Sequence, residues 1–408
     1  MSEPAELEAL RARYEAIFEA ARAPFAFVDL DAMRANADAM RAQAGDLPIR
    51  IASKSVRSLP VLRRILDLDP GFRGVLSFTL PEALWLARQG FDDVVVAYPS
   101  ADREAISELV ALAAGDEATA PVPMVDDAPH LDLIEGAIGA GRSEVAVCMD
   151  VDAGWWPLGG RLAKVGPKRS PIHHPDRARR FAAEIASRPG TRLAGLMAYE
   201  GQIAGVGDRV AGHPMRSAAI RWMQDRSEQD IEDRLPRIVE AIREATPAEL
   251  AFVNGGGTGS LARTAAAGIV TELTAGSGFY APHLFDNYRS LALTPAAFFV
   301  LPVVRRPSPG TVTALGGGYP ASGPADEARL PQPYLPHGLR LDGQEGAGEV
   351  QTPVLGTAAR NLRIGDRVYM RHAKAGELCE RFESLYLVEG ERIVDEVPTY
   401  RGEGKTFL

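Results

Sequence analysis

Residues 48–68, PIRIASKSVRSLPVLRRILDL, contain the pattern that decides the fold. A short apolar run at 50–53 is followed by a polar turn and then by a stretch whose apolar residues recur at helical spacing. The same order recurs along the chain, and strands that alternate with helices predict a parallel sheet. The turn, SKSVRS, contains no glycine, whereas an open doubly wound sheet usually has a glycine-rich turn after its first strand. A closed barrel is therefore the favoured architecture.

Eight candidate strands are present, the number that closes a (β/α)8 barrel. After about residue 291 helical periodicity gives way to short apolar runs separated by turns such as PSPG and QEGAGE. We therefore predict an α/β protein with a TIM barrel at 1–290, including a helical extension at 1–24, and a β-rich C-terminal domain at 291–408. The predicted barrel strands are 50–53, 74–78, 94–97, 122–125, 145–151, 193–198, 250–253 and 270–273.

The composition excludes several classes of protein. The 408 residues carry a formal net charge of −9 and no run of Lys and Arg, so the charge pattern typical of nucleic-acid or anionic-membrane binding is missing. Two cysteines in so long a chain do not make a disulfide framework, which favours a cytoplasmic protein. No stretch of about twenty apolar residues occurs, so a membrane span is not expected.

The residues that can carry chemistry fall where the predicted strands end. In a barrel of this kind the functional side chains lie at the carboxyl ends of the strands, and phosphate groups favour the loops after the last two strands. Lys54 ends the first strand, and glycines beside hydroxyl groups follow the last two, in NGGGTGS (254–260) and AGSG (275–278). Each feature alone is more often structural, since most lysines are solvated and most glycine runs are turns. Together they predict an anion site beside a lysine that can form a Schiff base with an aldehyde.

These residues belong to motifs that extend over nearly the whole chain. The motifs are PFAFVDLDAMRANADAM (24–40), IASKS (51–55), DVDAG (150–154), GLMAYEGQ (195–202), NGGGTGS (254–260), ELTAGSGFYAPHLFDNY (272–288), LYLVEG (385–390) and YRGEG (400–404). With them the chain resembles the fold-type III pyridoxal-phosphate enzymes, the class of alanine racemase, and within that class the D-threonine aldolase and D-serine dehydratase group (amino acid deaminase/aldolase). The resemblance implies pyridoxal 5'-phosphate as cofactor and an amino acid as small-molecule substrate.

The resemblance also implies a role for individual residues. Lys54 would hold the cofactor and act as acid and base at the substrate Cα. Tyr199 would pack near the pyridine ring. Arg161 would contact the phenolic oxygen of the cofactor, with Arg169 as the alternative, because the stretch GWWPLGGRLAKVGPKRSP (154–171) is longer than the usual motif. The phosphate would be held by Gly256, Gly257, Thr258, Gly276 and Ser277.

The chain departs from the group at the metal motif. The resembling enzymes carry His-x-Asp or His-x-Cys shortly before a run like VNLYD, which corresponds here to ESLYL (383–387). Leu378 then falls at the histidine position. His372, Cys379 and Glu380 remain as candidate ligands for zinc or manganese, since imidazole, thiolate and carboxylate suit these ions. In the alternative interpretation His372 is a polar site residue and the other two belong to an ordinary surface with a buried thiol.

The leading functional prediction is a lyase that acts on a β-hydroxy amino acid of D configuration, by aldol cleavage or by dehydration and deamination. The first alternative is an amino-acid racemase, which needs a second acid/base such as Tyr319 or Tyr334 from the β domain of a partner. The second alternative is a cofactor-binding protein without turnover. The resemblance further implies a homodimer in which each β domain helps to close the barrel mouth of its partner.

Overall fold

Apolar runs form short strands and amphipathic stretches form helices, because each helix buries one apolar face. The computed structural model describes residues 4–139, 143–246, 249–374 and 376–408. In chain order the elements are α1 Pro4–Ile17, β1 Phe25–Asp29, α2 Leu30–Ala44, β2 Ile49–Ala52, α3 Leu59–Leu66, β3 Phe72–Ser77, α4 Leu80–Arg88, β4 Val94–Val96, α5 Arg103–Gly115, β5 Met124–Val125, α6 Ala128–Ile138, β6 Val145–Asp150, α7 Pro175–Ser187, β7 Thr191–Ala198, α8 Gly201–Ala204, α9 Pro214–Ala245, β8 Phe252–Gly255, α10 Leu261–Ala266, β9 Glu272–Ala275, α11 Ser277–Tyr280, β10 Ala297–Ser308, β11 Thr311–Leu315, β12 Gln332–Leu335, β13 Leu339–Leu341, β14 Gln351–Gly356, β15 Arg367–Arg371, β16 Ser384–Glu389 and β17 Arg392–Pro398.

Eight parallel strands form a closed barrel. They are hydrogen-bonded in the order β4-β3-β2-β9-β8-β7-β6-β5. The two ends of this order meet, because Val96 N donates to Val122 O at 2.9 Å and Val122 N donates to Val94 O at 2.8 Å. All eight predicted strands are present with shifted ends, and the predicted (β/α)8 barrel is confirmed. The strand predicted at 122–125 is shortened to Met124–Val125 after Pro123, which has no N–H to donate.

A second, mostly antiparallel sheet follows the barrel. Its main path is β13-β14-β11-β10-β1-β16-β17, and β15 pairs with both β10 and β12. The predicted C-terminal β-rich domain is therefore present. Strand β1 lies inside this sheet, antiparallel to β10 and parallel to β16, although the sequence places residues 25–29 with the barrel. All five residues of β1 are buried, so the strand needs a partner on each edge and a cover on each face.

Helix α1 covers the face of the second sheet that contains β1. Its Tyr14 packs edge-on against Phe27, with ring centroids 4.8 Å apart, and Phe18 lies 4.6 Å from Phe25. The Tyr14 hydroxyl donates to Asp29 Oδ2 at 2.9 Å. The N-terminal helix and first strand are thus part of the C-terminal domain in space, and the chain crosses to the barrel at Asp29, whose carboxylate caps α2.

Two segments of the second domain reach the carboxyl ends of the barrel strands. We call residues 372–374 and 376–380 the strap. The strap is joined to the segment that leaves the barrel after α11, which we call the barrel exit, because His283 N donates to His372 O at 3.1 Å. Pro398 and the residues after it lie against the turn that follows β2, where Tyr400 N donates to Arg57 O at 2.8 Å. Among the described residues, every helix lacks either the length or the apolar surface needed to cross a bilayer.

Candidate active site

Lys54 lies at the mouth of the barrel. It sits in a single 3-10 turn, Ser53–Ser55, directly after β2, and its side chain is exposed. Its Nζ donates a hydrogen bond to the hydroxyl of Tyr98, at 2.8 Å. Burial acts to raise the pKa of Tyr98, but the nearby charges of Lys54, Arg169 and Lys374 outweigh it and lower that pKa overall. The amine therefore has a phenol partner inside an electropositive mouth.

Tyr98 was missed by sequence reasoning. It follows β4, one of the predicted strands, by two residues. The rule that side chains at the carboxyl ends of barrel strands are functional would have included it. Tyr98 has no glycine, charge or recognisable motif beside it, and those were the signals that identified the other strand ends.

The two glycine loops meet beside the turn that carries Lys54. Thr258 Oγ1 accepts a hydrogen bond from Gly278 N at 3.2 Å, and the hydroxyls of Ser277 and Ser55 are 3.1 Å apart. The position of Gly276 requires glycine, because a Cβ there would lie 2.6 Å from the carbonyl oxygen of Ala52. Two hydroxyls and the glycine backbone thus converge at one place in the mouth, as the spacing predicts.

Glu200 fixes the shape of the first glycine loop. Its buried carboxylate accepts hydrogen bonds from Gly256 N at 3.0 Å and from Ser260 Oγ at 2.8 Å, and it also accepts one from Thr264 Oγ1. Gly256 has a φ of +81°, a conformation that costs other residues energy. The sequence places Glu200 at the end of its strand but gives it no role. In the structure it is the residue that holds the loop in place.

Tyr199 and Arg169 line the mouth between Lys54 and the glycine loops. A Cβ on Gly257 would lie 3.3 Å from Cε2 of Tyr199, so the ring borders the loop directly. Burial and then the charge of Glu200 raise the pKa of Tyr199 to about 12. The guanidinium of Arg169 lies 5.2 Å from the Tyr98 ring centroid and 5.8 Å from that of Tyr199.

Arg161, the first choice of the sequence analysis, is placed elsewhere. It follows the exposed 3-10 turn Pro157–Gly160 and is itself exposed. Arg169, the alternative, is the arginine that reaches the two tyrosines, because the longer stretch after β6 folds out and returns before it enters the mouth. Trp155 and Val165 pair within this excursion, with N–O distances of 2.8 and 2.9 Å. The geometry therefore favours Arg169, the alternative, over Arg161.

Two aspartates of the DVDAG motif lie at the end of β6 and just after it. Burial, and next the charge of Asp126, raise the pKa of Asp150 to about 7, while Arg169 acts in the opposite direction. Asp152, two residues later, has a structural task, since its Oδ1 accepts from Gly154 N at 2.6 Å. Of the two, Asp150 is therefore the carboxyl on which the charge of Arg169 is seen to act.

The three predicted metal ligands do not converge. Glu380 forms an ion pair with Arg57, and Cys379 Sγ donates to the carbonyl oxygen of Val56 at 3.3 Å. His372 is 3% exposed and both of its ring nitrogens lack a hydrogen-bond partner. In the described ranges, no three His, Cys, Asp or Glu side chains are grouped so that they could hold a metal ion. The structure does not bring the predicted set of His372, Cys379 and Glu380 together, because the last two residues hold the strap against the barrel.

The remaining residues fit pyridoxal 5'-phosphate. A primary amine suits its aldehyde, hydroxyls and glycine amides suit its phosphate, and an aromatic face with a guanidinium suits its ring and phenolic oxygen. Lys54, the two glycine loops, Tyr199 and Arg169 supply these groups in one mouth. The arrangement can hold the cofactor and present one amine to it.

Comparison with known proteins supports this assignment. No protein-family model matches the chain. It is similar to a D-threonine aldolase of an Arthrobacter species, with 26% identity over 296 residues, which is 71% of this chain and 70% of the relative.

Solved structures share the fold over almost the whole chain. The D-threonine aldolase of Filomicrobium marinum has a TM-score of 0.76 and 22% identity, covering 93% of this chain and 95% of its own. The D-threo-3-hydroxyaspartate dehydratase of Delftia sp. HT23 has a TM-score of 0.72 and 18% identity, covering 94% and 98%. The chain thus shares the fold of these two enzymes, with a barrel followed by a β domain, as its motifs predict.

Proposed function

We propose that this chain is a pyridoxal-phosphate-dependent lyase that acts on a β-hydroxy amino acid of D configuration. The observation that carries the proposal is the position of the Lys54 amine, which lies at the mouth of the barrel beside two glycine loops joined by the contact of Thr258 with Gly278. The names of the similar proteins, an aldolase and a dehydratase, support the reaction class and the D configuration.

The side chains of the mouth have separate tasks in this proposal. When bound, the cofactor supplies an electron sink for the bond that breaks at Cα. Lys54 holds the cofactor and moves the proton at the substrate Cα. Tyr98 keeps the amine of Lys54 in the mouth through its 2.8 Å hydrogen bond. Thr258 and Ser277 bind the phosphate, Tyr199 packs on the ring, and Arg169 binds the phenolic oxygen.

Aldol cleavage and dehydration both fit the site, whereas racemisation has less support. A racemase needs an acid/base on the opposite face of the cofactor. Tyr319 packs against Phe299 and Phe382 of its own chain, with centroids 5.1 and 5.9 Å away. Tyr334 stacks on Phe298 at 5.6 Å. Both candidate tyrosines therefore belong to the packing of the β domain.

One assay separates the reactions. The protein loaded with cofactor is incubated with D- and L-threonine, D- and L-serine and D- and L-threo-3-hydroxyaspartate. The keto acid, the aldehyde with glycine, and the amino acid inverted at Cα (for serine, the opposite enantiomer) are measured together. We expect a keto acid or an aldehyde from a D enantiomer, and none from the Lys54→Ala variant. Formation of the opposite enantiomer alone would establish the racemase, and cofactor binding without any product would establish a binding protein.

We further propose a cytoplasmic homodimer. Large apolar side chains are exposed on the barrel, among them Met215 at 85% and Trp222 at 57%, which is unusual for a monomer surface. Light scattering should give twice the mass of one chain at micromolar concentration. A monomer that retains full activity on dilution would contradict both the dimer and a contribution of the partner to the mouth.

A further inference from the structure

The strap brings one further side chain to the mouth, and two contacts fix its position. On the side before Lys374, Leu284 N donates to Ala373 O at 3.3 Å, which joins the strap to the barrel exit. On the side after it, Gly376 has a φ of +101°, and a Cβ there would collide with the carbonyl oxygen of Lys54. Lys374 is therefore held between the barrel exit and the turn that carries the reactive lysine.

The side chain of Lys374 is directed by a second contact within the β domain. Its Nζ donates to Ser322 Oγ at 3.2 Å, and Ser322 N in turn donates to Glu377 Oε1 at 2.9 Å. Lys374 is half-buried, and its charge acts on the phenol of Tyr98, the group that also binds Lys54. The ammonium thus lies on the side of the mouth that contains Tyr98 and Lys54.

From the sequence, the strap was expected to bind a divalent cation. The thiol of Cys379 donates to the carbonyl oxygen of Val56, and the carboxylate of Glu380 pairs with Arg57. Both contacts are made with the residues that follow the turn of Lys54. The group that the strap does present to the mouth is an ammonium. A lysine carries a compact positive charge with three donor hydrogens, so it can bind the same substrate oxygen that a metal ion would bind.

We propose that the Lys374 ammonium binds the oxygen substituent on Cβ of the substrate and thereby takes the place of a divalent metal ion. The inference rests on the proposed function. The ammonium stabilises the negative charge that develops on this oxygen, either when the hydroxyl proton passes to water before aldol cleavage or when the Cβ–O bond breaks in dehydration and the hydroxide leaves, as preorganised donors do in other active sites. Turnover of β-hydroxy amino acids by this enzyme is then independent of metal.

The test compares the cofactor-loaded Lys374→Met variant with a matched Lys405→Met control, a lysine on the exposed C-terminal segment. We expect Lys374→Met to lower turnover of the β-hydroxy substrate about a hundredfold. The visible cofactor band should stay, as should the exchange of the Cα hydrogen of D-alanine in deuterated water, because D-alanine has no oxygen on Cβ. The control should match the wild type in all three measurements.

A second arm begins with the wild-type protein. Wild-type protein treated with chelator should keep its turnover within about twofold, because the cationic donor is a side chain. Lys374→Arg should retain more activity than Lys374→Met, because arginine keeps a positive charge at this position. Turnover that is lost with chelator and restored by manganese or zinc would overturn the inference, as would full turnover in Lys374→Met. A wild type that binds the cofactor but yields no product would instead refute the proposed function.

Discussion

The barrel mouth and the strap contain similar residue types but use them differently. In the mouth, polar groups are left facing the space between the loops, and Lys54 has a single phenol partner at 2.8 Å. In the strap, Glu380 pairs with Arg57, and Cys379 binds the carbonyl oxygen of Val56. Residue type alone therefore does not identify a site. The two regions differ in whether the polar side-chain atoms already form hydrogen bonds or ion pairs with a neighbouring element.

The largest expected effect lies in the mouth. Lys54→Ala should abolish the visible cofactor band and lower turnover by about 10⁴-fold or more, because it removes both the attachment and the proton carrier. Absorption spectra and single-turnover assays measure the two effects. Lys405→Ala serves as the control. A borohydride-reduced adduct found on another lysine would contradict the assignment of the mouth.

The second effect compares the two arginines, Arg161 and Arg169, of the long stretch that follows β6. Arg169→Met should lower cofactor affinity or turnover by about ten- to a hundredfold, since it removes a charged partner of the cofactor. Arg161→Met should stay within about twofold of the wild type, because Arg161 is exposed outside the mouth. Spectroscopic titration with cofactor and steady-state assays decide between them. The reverse result would restore the original prediction from the sequence.

The third effect tests whether the strap is structural. Glu380→Ala leaves Arg57 without its carboxylate while the arginine side chain is only 12% exposed. We expect a loss of about 2 kcal/mol in the free energy of unfolding, with the cofactor band preserved in the native protein. Denaturant titration measures the loss, and the exposed Glu383→Ala is the control on the same segment. A large fall in turnover at unchanged stability would place Glu380 in the site after all.

The smallest effect concerns the contact of the C-terminal segment with the barrel. Burial raises the pKa of Glu82 to about 7, although Ser53, Phe78 N and Tyr400 donate hydrogen bonds that lower it. A carboxyl in an unfolded chain has a pKa of about 4.3. Because the folded state binds more protons between these values, this contribution to stability is present at low pH and is lost as the pH rises from about 4.3 to about 7.

The Glu82→Gln variant isolates this contribution, because its side chain stays neutral. We expect its free energy of unfolding, relative to the wild type, to increase by about 1 kcal/mol between pH 6.0 and pH 7.5. Parallel denaturant titrations at several pH values provide the measurement. A constant difference between the two proteins would show that Glu82 ionises normally in the fold.

Much of the barrel could be read from the sequence, because its signals are local. Each strand is a short apolar run next to an amphipathic helix, and topology then brings the strand ends together, so Lys54 and the glycine loops could be placed without coordinates. Strand β1 could not be assigned this way. Its five buried residues look like any barrel strand, and only the pairing with β10 and β16 shows where it belongs.

The sequence by itself determined the barrel, the β domain, and the positions of Lys54 and of the two glycine loops at strand ends, since these depend on periodicity and on the order of elements. Only the tertiary structure decided that Arg169 enters the mouth, that Tyr98 binds Lys54 and that the strap presents Lys374. These depend on contacts between segments far apart in the chain, such as Cys379 with Val56, which are 323 positions apart. A hydrogen bond between two distant segments leaves no recognisable pattern in the sequence around either residue. Such a contact therefore cannot be predicted from local sequence.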